Sequence, residues 1–325
     1  MTGFPKKAEH GGRIQEIQRM CRKDILDVSA SLNPYPPNVD CTFSIEDLRN
    51  YPDDTYTCLK EKISSIFHRS PAEICVGNGS GELIRAYCTV IPGTTCRIDT
   101  PTFGEYSLAA QLAGKQIISS QKADIRFLCN PNNPTGTLLT RNEVIQILEE
   151  ENELFVDEAF MMLAKQNESV SDIRDSNLFV LRSLTKSFSV PGIRFGFGFG
   201  PKDLIEKIET ARTPWSVNSF AEKYALAALD HFSELEHTRE KITRERERLT
   251  KKLHEINLTC FESHVNYLTI HLPKPADEIT GKLLKKGILV RDCTSFGLPD
   301  CIRIAVMTPE INNRVTDAIT EVLQE

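Results

Sequence analysis

Arg182-Ser183-Leu184-Thr185-Lys186-Ser187-Phe188-Ser189-Val190-Pro191-Gly192-Ile193-Arg194 is the stretch on which the reading of this chain turns. Phe179-Val180-Leu181 leads into it as a short apolar strand. One lysine stands among hydroxyls, with an arginine eight residues further on. Hydroxyl donors and a guanidinium suit a phosphate, and a lysine beside them, shielded from water, becomes a nucleophilic amine. A surface loop with an incidental Lys and Arg would carry the same residues, so the neighbouring motifs decide.

Upstream, Val76-Gly77-Asn78-Gly79-Ser80-Gly81-Glu82-Leu83 reads as strand, glycine turn and helix start. Glycines let backbone approach a phosphate, and a helix N-terminus adds N–H donors and partial positive charge. The spacing lacks the GxGxxG form of a dinucleotide fingerprint, and the turn lies well inside the chain. Asn130-Pro131-Asn132-Asn133-Pro134-Thr135-Gly136 follows another strand, one strand–helix unit ahead of Val156-Asp157-Glu158-Ala159. An Asp at the carboxyl end of a buried strand is costly unless it faces a cation, and a protonated pyridine nitrogen is one.

The 325 residues allow about two domains. A formal charge of −6 spread along the chain argues against nucleic-acid or anionic-membrane partners. Neither a signal-peptide run nor the roughly 18 consecutive apolar residues of a membrane helix occurs. Ten cysteines without a CxxC pair suggest reduced thiols in a cytoplasmic protein, with no zinc-site spacing.

An arm over residues 1–36 holds a polar helix near Arg13–Lys23 and ends in Pro34, Pro36 and Pro37. A large domain, 37–218, alternates short apolar strands with helices, which indicates a mostly parallel, helix-covered sheet. In 219–325, two long helices, Ser219–Phe232 and Leu235–Ile256, precede a small α+β domain. Its strands are expected at Tyr267–Leu272, Ile288–Arg291 and Cys301–Val306, with helices near Ala276–Lys286 and from Pro309.

In this order the motifs resemble the fold-type I pyridoxal-5′-phosphate (PLP) enzymes of the aspartate aminotransferase superfamily, over nearly the whole chain. The resemblance implies an α/β fold, with a PLP-dependent transferase-like large domain on a mostly parallel seven-stranded sheet and a small α+β C-terminal domain. It implies that Lys186 forms a Schiff base with PLP, that Asp157 pairs with the pyridine nitrogen, and that Asn133 bonds the 3′ oxygen. Gly79, Ser80, Gly81, Ser183, Thr185 and Arg194 would hold the cofactor phosphate, and Phe103 would stack on the ring. Tyr51 would reach the phosphate of the neighbouring subunit in a homodimer with shared sites.

Within the superfamily the chain is most similar to the branch that contains histidinol-phosphate aminotransferases and threonine-phosphate decarboxylases. Three features resemble the decarboxylases: the opening His10-Gly11-Gly12-Arg13-Ile14, Phe160 where aminotransferases usually carry a tyrosine, and Thr213-Pro214-Trp215-Ser216-Val217-Asn218. They imply decarboxylation of a small phosphorylated amino acid, L-threonine O-3-phosphate, to (R)-1-amino-2-propanol O-2-phosphate for cobalamin. The alternatives are an aminotransferase or a non-catalytic PLP-binding protein. His10, Gly11, Ser31, Asn33, Arg291 and Arg303 would contact the substrate. Ser31 stands where the decarboxylase arm carries an Asn, and the stretch between Gly114 and Leu128 is abbreviated.

Overall fold

The computed structural model describes residues 4–21, 24–119 and 122–325. After a helix at Ile14–Cys21, the arm forms a two-residue strand, β1 (Leu26–Asp27). The large sheet follows: β2 (Ile74–Gly77), β3 (Thr95–Ile98), β4 (Gln116–Ile118), β5 (Ile125–Cys129), β6 (Leu154–Asp157), β7 (Leu178–Ser183) and β8 (Gly196–Phe199). Their order is β2-β8-β7-β6-β5-β3-β4. Only β8 runs against its neighbours; every other pairing is parallel. The expected seven-stranded, mostly parallel sheet is present.

Alternation along each strand divides the core into two layers. Leu154, Val156 and Val180 turn to one face, with Leu59 and Ile63 of helix Thr57–Phe67 and Ala221 and Ala225 of helix Ser219–Asp230. Phe155 and Phe179 turn to the other, with Leu83 and Tyr87 of helix Ser80–Val90 and Ile205 of helix Lys202–Ala211. Both faces being covered explains the unbroken apolar runs of β6 and β7. The parallel strands β5, β6 and β7 all end at one sheet edge, at Cys129, Asp157 and Ser183, so the Asn-Pro turn, the Asp strand and the lysine loop emerge together.

The 21-residue helix Leu235–Glu255 leads to the C-terminal part, burying Leu235, Ile242, Leu249 and Leu253 along one stripe. A second sheet contains β9 (Thr259–Cys260), β10 (Tyr267–His271), β12 (Arg291–Asp292) and β13 (Cys301–Ala305), in the order β12-β13-β10-β9 and antiparallel throughout. The strand expected over Ile288–Arg291 is instead two pieces. β11 (Ile288–Leu289) pairs in parallel with β1, and after Val290 the chain changes partner to β13. An apolar run records burial but not which strand lies beside it. Through β1–β11, and through the Ala305 amide donating to Val28 O at 2.7 Å, the arm is tied into the small domain. β4 escaped the sequence reading because it is a three-residue edge strand with two exposed residues and no clear alternation.

Candidate active site

A cavity of about 600 Å³ opens where β5, β6 and β7 end, beneath the arm. Lys186 lies in a four-residue helix, Leu184–Ser187, whose start is capped by Ser183 Oγ accepting from Thr185 N at 3.2 Å. Among the described residues it is the lysine that lines this cavity. Its Nζ donates to Ala30 O of the arm at 2.8 Å. Desolvation lowers its pKa to about 8, and the positive charges of Arg303 and Arg194 act in the same direction. More of it is therefore the nucleophilic free amine near neutrality than for an ordinary lysine.

Asp157, 3% exposed, ends β6. It accepts from Tyr106 OH at 2.7 Å and from Ala159 N at 2.8 Å. Burial pushes its carboxyl up to about 6 despite those two donors. No described Lys, Arg or His lies within ion-pair distance of it, whereas its neighbour Glu158 meets Arg182 at 2.8 Å with both side chains almost wholly buried. A buried carboxylate with donors but no counter-ion fits a ligand that brings its own cation, such as a protonated pyridine ring.

Ser80, Gly81, Ser183, Thr185 and Arg194 gather at one end of the cavity, against the N-terminus of helix Ser80–Val90. Gly79 sits just behind, with φ +75°, and a Cβ there would fall 2.5 Å from Arg194 Nη2. The left-handed backbone favours glycine, and any Cβ would push the Arg194 guanidinium aside. Arg194 itself has φ +60°. Hydroxyls, helix amides and a guanidinium together suit a phosphate.

Arg303 and Arg291 of the small domain, with His10 and Gly11 of the arm, also line the cavity. Arg303, 5% exposed, donates to Asn133 Oδ1 and, at 3.0 Å, to Ser29 O. Its Nε is buried without a partner, and no described carboxylate pairs with it. Arg291 donates to Ser295 Oγ at 2.6 Å and to Glu9 O at 3.0 Å. His10 Nε2 lies 2.7 Å from Glu105 Oε1, and its ring is 5.6 Å from that of Phe103, which lines the same wall. The His10 hydrogen bond holds the Glu105 carboxyl below its usual range.

Three expected site residues lie elsewhere. Asn33 turns away from the cavity, donating to Ser187 O at 2.6 Å and accepting from Tyr35 N at 2.8 Å, while its amide donates to Lys186 O at 3.1 Å. It braces the lysine loop from behind rather than lining the cavity. Ser31 has φ +50°, and its buried Oγ has no partner and is not part of the cavity wall. Tyr51 is 78% exposed and stacks on Trp215 with ring centroids 4.4 Å apart. Phe160 does line the cavity, edge-on to Tyr267 at 5.0 Å. Tyr106 and Glu105 had no assigned role, although both lie in the Thr100–Tyr106 stretch around Phe103. Their partners, Asp157 and His10, are 51 and 95 residues distant in sequence.

A lysine amine, an uncompensated carboxylate and a cluster of hydroxyls, helix amides and a guanidinium around one cavity fit a PLP-dependent enzyme of the α/β transferase-like class. The family model for class I and II aminotransferases matches residues 38–125 and 115–319, and the chain belongs to that family. It is 34% identical over 354 residues to a Caldanaerobacter subterraneus protein provisionally named threonine-phosphate decarboxylase, covering 98% of this chain and 95% of the other. It is 30% identical over 345 residues to a histidinol-phosphate aminotransferase of Symbiobacterium thermophilum, covering 97% and 95%. A bifunctional adenosylcobalamin biosynthesis protein, CobDQ of Leptospira interrogans, is 32% identical over 97% of this chain and 41% of its own length. Among solved structures, a Sinorhizobium meliloti histidinol-phosphate aminotransferase in complex with PLP superposes with a TM-score of 0.86 at 19% identity, covering 100% and 97%. A Porphyromonas gingivalis L-threonine-O-3-phosphate decarboxylase gives 0.80 at 22%, covering 99% of each chain. At those identities the two structures establish the shared fold. The cofactor is PLP.

Proposed function

We propose that this enzyme decarboxylates L-threonine O-3-phosphate, releasing CO₂ and (R)-1-amino-2-propanol O-2-phosphate for cobalamin biosynthesis. The observation that carries the reading is Arg303, buried in the cavity with no counter-ion and an unpartnered Nε. Arg291, 3.8 Å from Glu9, and His10, 2.7 Å from Glu105, face the same space. Two guanidiniums in one small cavity suit a substrate with two anionic groups. Phosphothreonine carries two such groups, a carboxylate and a phosphate, and so does 2-oxoglutarate, the second substrate of the aminotransferase reading; Phe160, which has no hydroxyl, favours the decarboxylase. The names of the decarboxylase and CobDQ relatives point the same way.

PLP, when bound, supplies an electron sink for the pair left at Cα as its bond to the carboxylate breaks. Lys186 would be its covalent attachment point, Asp157 would keep the ring nitrogen protonated, and Asn133 would contact the 3′ oxygen. Phe160, having no hydroxyl, leaves that contact to Asn133. Gly79, Ser80, Gly81, Ser183, Thr185 and Arg194 would hold the cofactor phosphate, with Phe103 against the ring. Arg303, Arg291, His10 and Gly11 would bind the substrate anions and so orient the bond that breaks. The Lys186 amine would carry the proton that returns to Cα. Tyr51, exposed beside Trp215, would complete the phosphate site of a second subunit in a homodimer. No helix described is long and apolar enough to cross a membrane, and the nine described cysteines are free.

The test is a panel of phosphothreonine, histidinol phosphate with 2-oxoglutarate, and aspartate, following CO₂ and keto-acid products together. The expected result is stoichiometric CO₂ from phosphothreonine, absent in Lys186→Ala, which also loses the visible absorbance of the lysine-bound cofactor. Transamination of histidinol phosphate without CO₂ from phosphothreonine would overturn the proposal in favour of the aminotransferase.

A further inference from the structure

β10 and β13 pair so that His271 stands opposite Cys301 and Thr269 opposite Arg303. Alternate residues of a strand share a face. Cys301 therefore lies on the same face as Arg303, one step nearer the sheet's end and outside the cavity wall. There Cys301 Sγ is 3.3 Å from His271 Nδ1 and 3.5 Å from Asp300 Oδ1. The three ligand atoms lie within 4.8 Å of one another.

The two separations from Cys301 Sγ match a coordination shell. Zinc held tetrahedrally by a thiolate at about 2.3 Å and by nitrogen or oxygen at about 2.0–2.2 Å sets its donors about 3.6 Å apart. The backbone that carries them is already held. Leu272 N donates to Asp300 O at 2.8 Å, and Cys293 N donates to Cys301 O at 3.0 Å. Phe261 stacks on the His271 ring, with centroids 4.7 Å apart and planes 27° from parallel, which fixes the imidazole's orientation. The Asp300 carboxylate makes no ion pair with any described residue, and its side-chain partner is the Cys301 thiol. A carboxylate, a thiol and an imidazole thus converge with no described Lys or Arg paired to the carboxylate.

We propose that His271, Asp300 and Cys301 form a binding site for a borderline-soft divalent cation of the zinc class, separate from the PLP cavity. The nitrogen, sulfur and oxygen donor set selects that class over magnesium or calcium. As the metal–sulfur bond forms, the Cys301 thiol gives its proton to solvent, and no redox change occurs. Thiolate and carboxylate together balance the ion's charge. Asp300 is exposed and His271 half-buried, so solvent reaches the cluster from their side, while Cys301 is buried beneath them. The bound ion clips the ends of β10 and β13 together, two residues from Arg303.

Cobalt(II) titration of the PLP-loaded enzyme tests this, read by the visible d–d bands and the thiolate-to-cobalt charge-transfer band. One equivalent per chain with a thiolate band, displaced by zinc, is expected. Asp300→Asn, at an exposed position that leaves the core intact, should weaken binding at least about tenfold, and Cys301→Ser should abolish the thiolate band. Zinc should raise the melting temperature of the wild type and not of His271→Gln. Absence of a thiolate band in the wild type would overturn the proposal. So would titrations of Asp300→Asn and His271→Gln that superimpose on the wild type, which would place the metal at another thiol.

Discussion

Asp157 and Glu158 are consecutive, both buried, and opposite in how the fold treats them. Glu158 accepts from Val170 N and Ser169 Oγ, each at 2.8 Å, and closes on Arg182, itself held by Ser169 and Ser171. Asp157 receives two hydrogen bonds and no cation. Arg303, across the cavity, is its positive counterpart, a buried guanidinium with no carboxylate. Behind the sheet edge the protein completes its own charges. In front of it the protein leaves Asp157 without a cation, and Arg303 and Lys186 without a carboxylate, which is costly unless a ligand supplies the partners.

The contrast predicts opposite signs for similar substitutions. Glu158→Gln leaves Arg182 buried without its counter-ion, and urea unfolding should show a loss of about 3–5 kcal/mol. An unchanged midpoint would erase the distinction between the two carboxylates.

Asp157→Asn should do the reverse in cofactor-free protein. The folded pKa of Asp157 is raised from 3.8 to about 6, so the folded state holds the proton more tightly than the unfolded chain does. Stability from this group is fully present below the unfolded value and is lost as pH rises through the folded one. The loss amounts to up to about 3 kcal/mol across roughly pH 4 to 6. Asp157→Asn should flatten that slope and stabilise the cofactor-free protein at neutral pH, while weakening retention of PLP. A pH–stability profile identical in both proteins would show that the carboxylate is not strained.

Arg303→Gln removes one charge-assisted anion contact, worth about 1.5–3 kcal/mol. It should lower kcat/KM for phosphothreonine by about ten- to a hundredfold without lowering the melting temperature, since a buried unpaired charge goes with it. A fall in stability like that of Glu158→Gln would mark Arg303 as structural and weaken the proposed substrate site.

Much of this was legible in the chain. The strand–turn–helix around Gly79, the turn at Asn133, the strand ending in Asp157 and the loop of Lys186 are local patterns, and parallel strands bring their ends to one edge. Asn33 shows the limit. Its Asn33-Pro34 motif pointed to a substrate contact, but the side chain is spent on Ser187 O and Tyr35 N behind the lysine loop. The Asp157–Tyr106 and His10–Glu105 contacts were invisible for the same reason, since each joins segments that meet only once the sheet and arm are in place.

Read alone, the sequence determined the α/β class, because short-range periodicity and turn chemistry encode it, and the resemblance of its motifs implied the family and the cofactor. Tertiary structure alone decided which buried charges are matched and which wait for a ligand. It also split the strand at Val290 and set His271 beside Cys301. Those outcomes depend on packing between segments far apart in the chain, and no local pattern of residues records that.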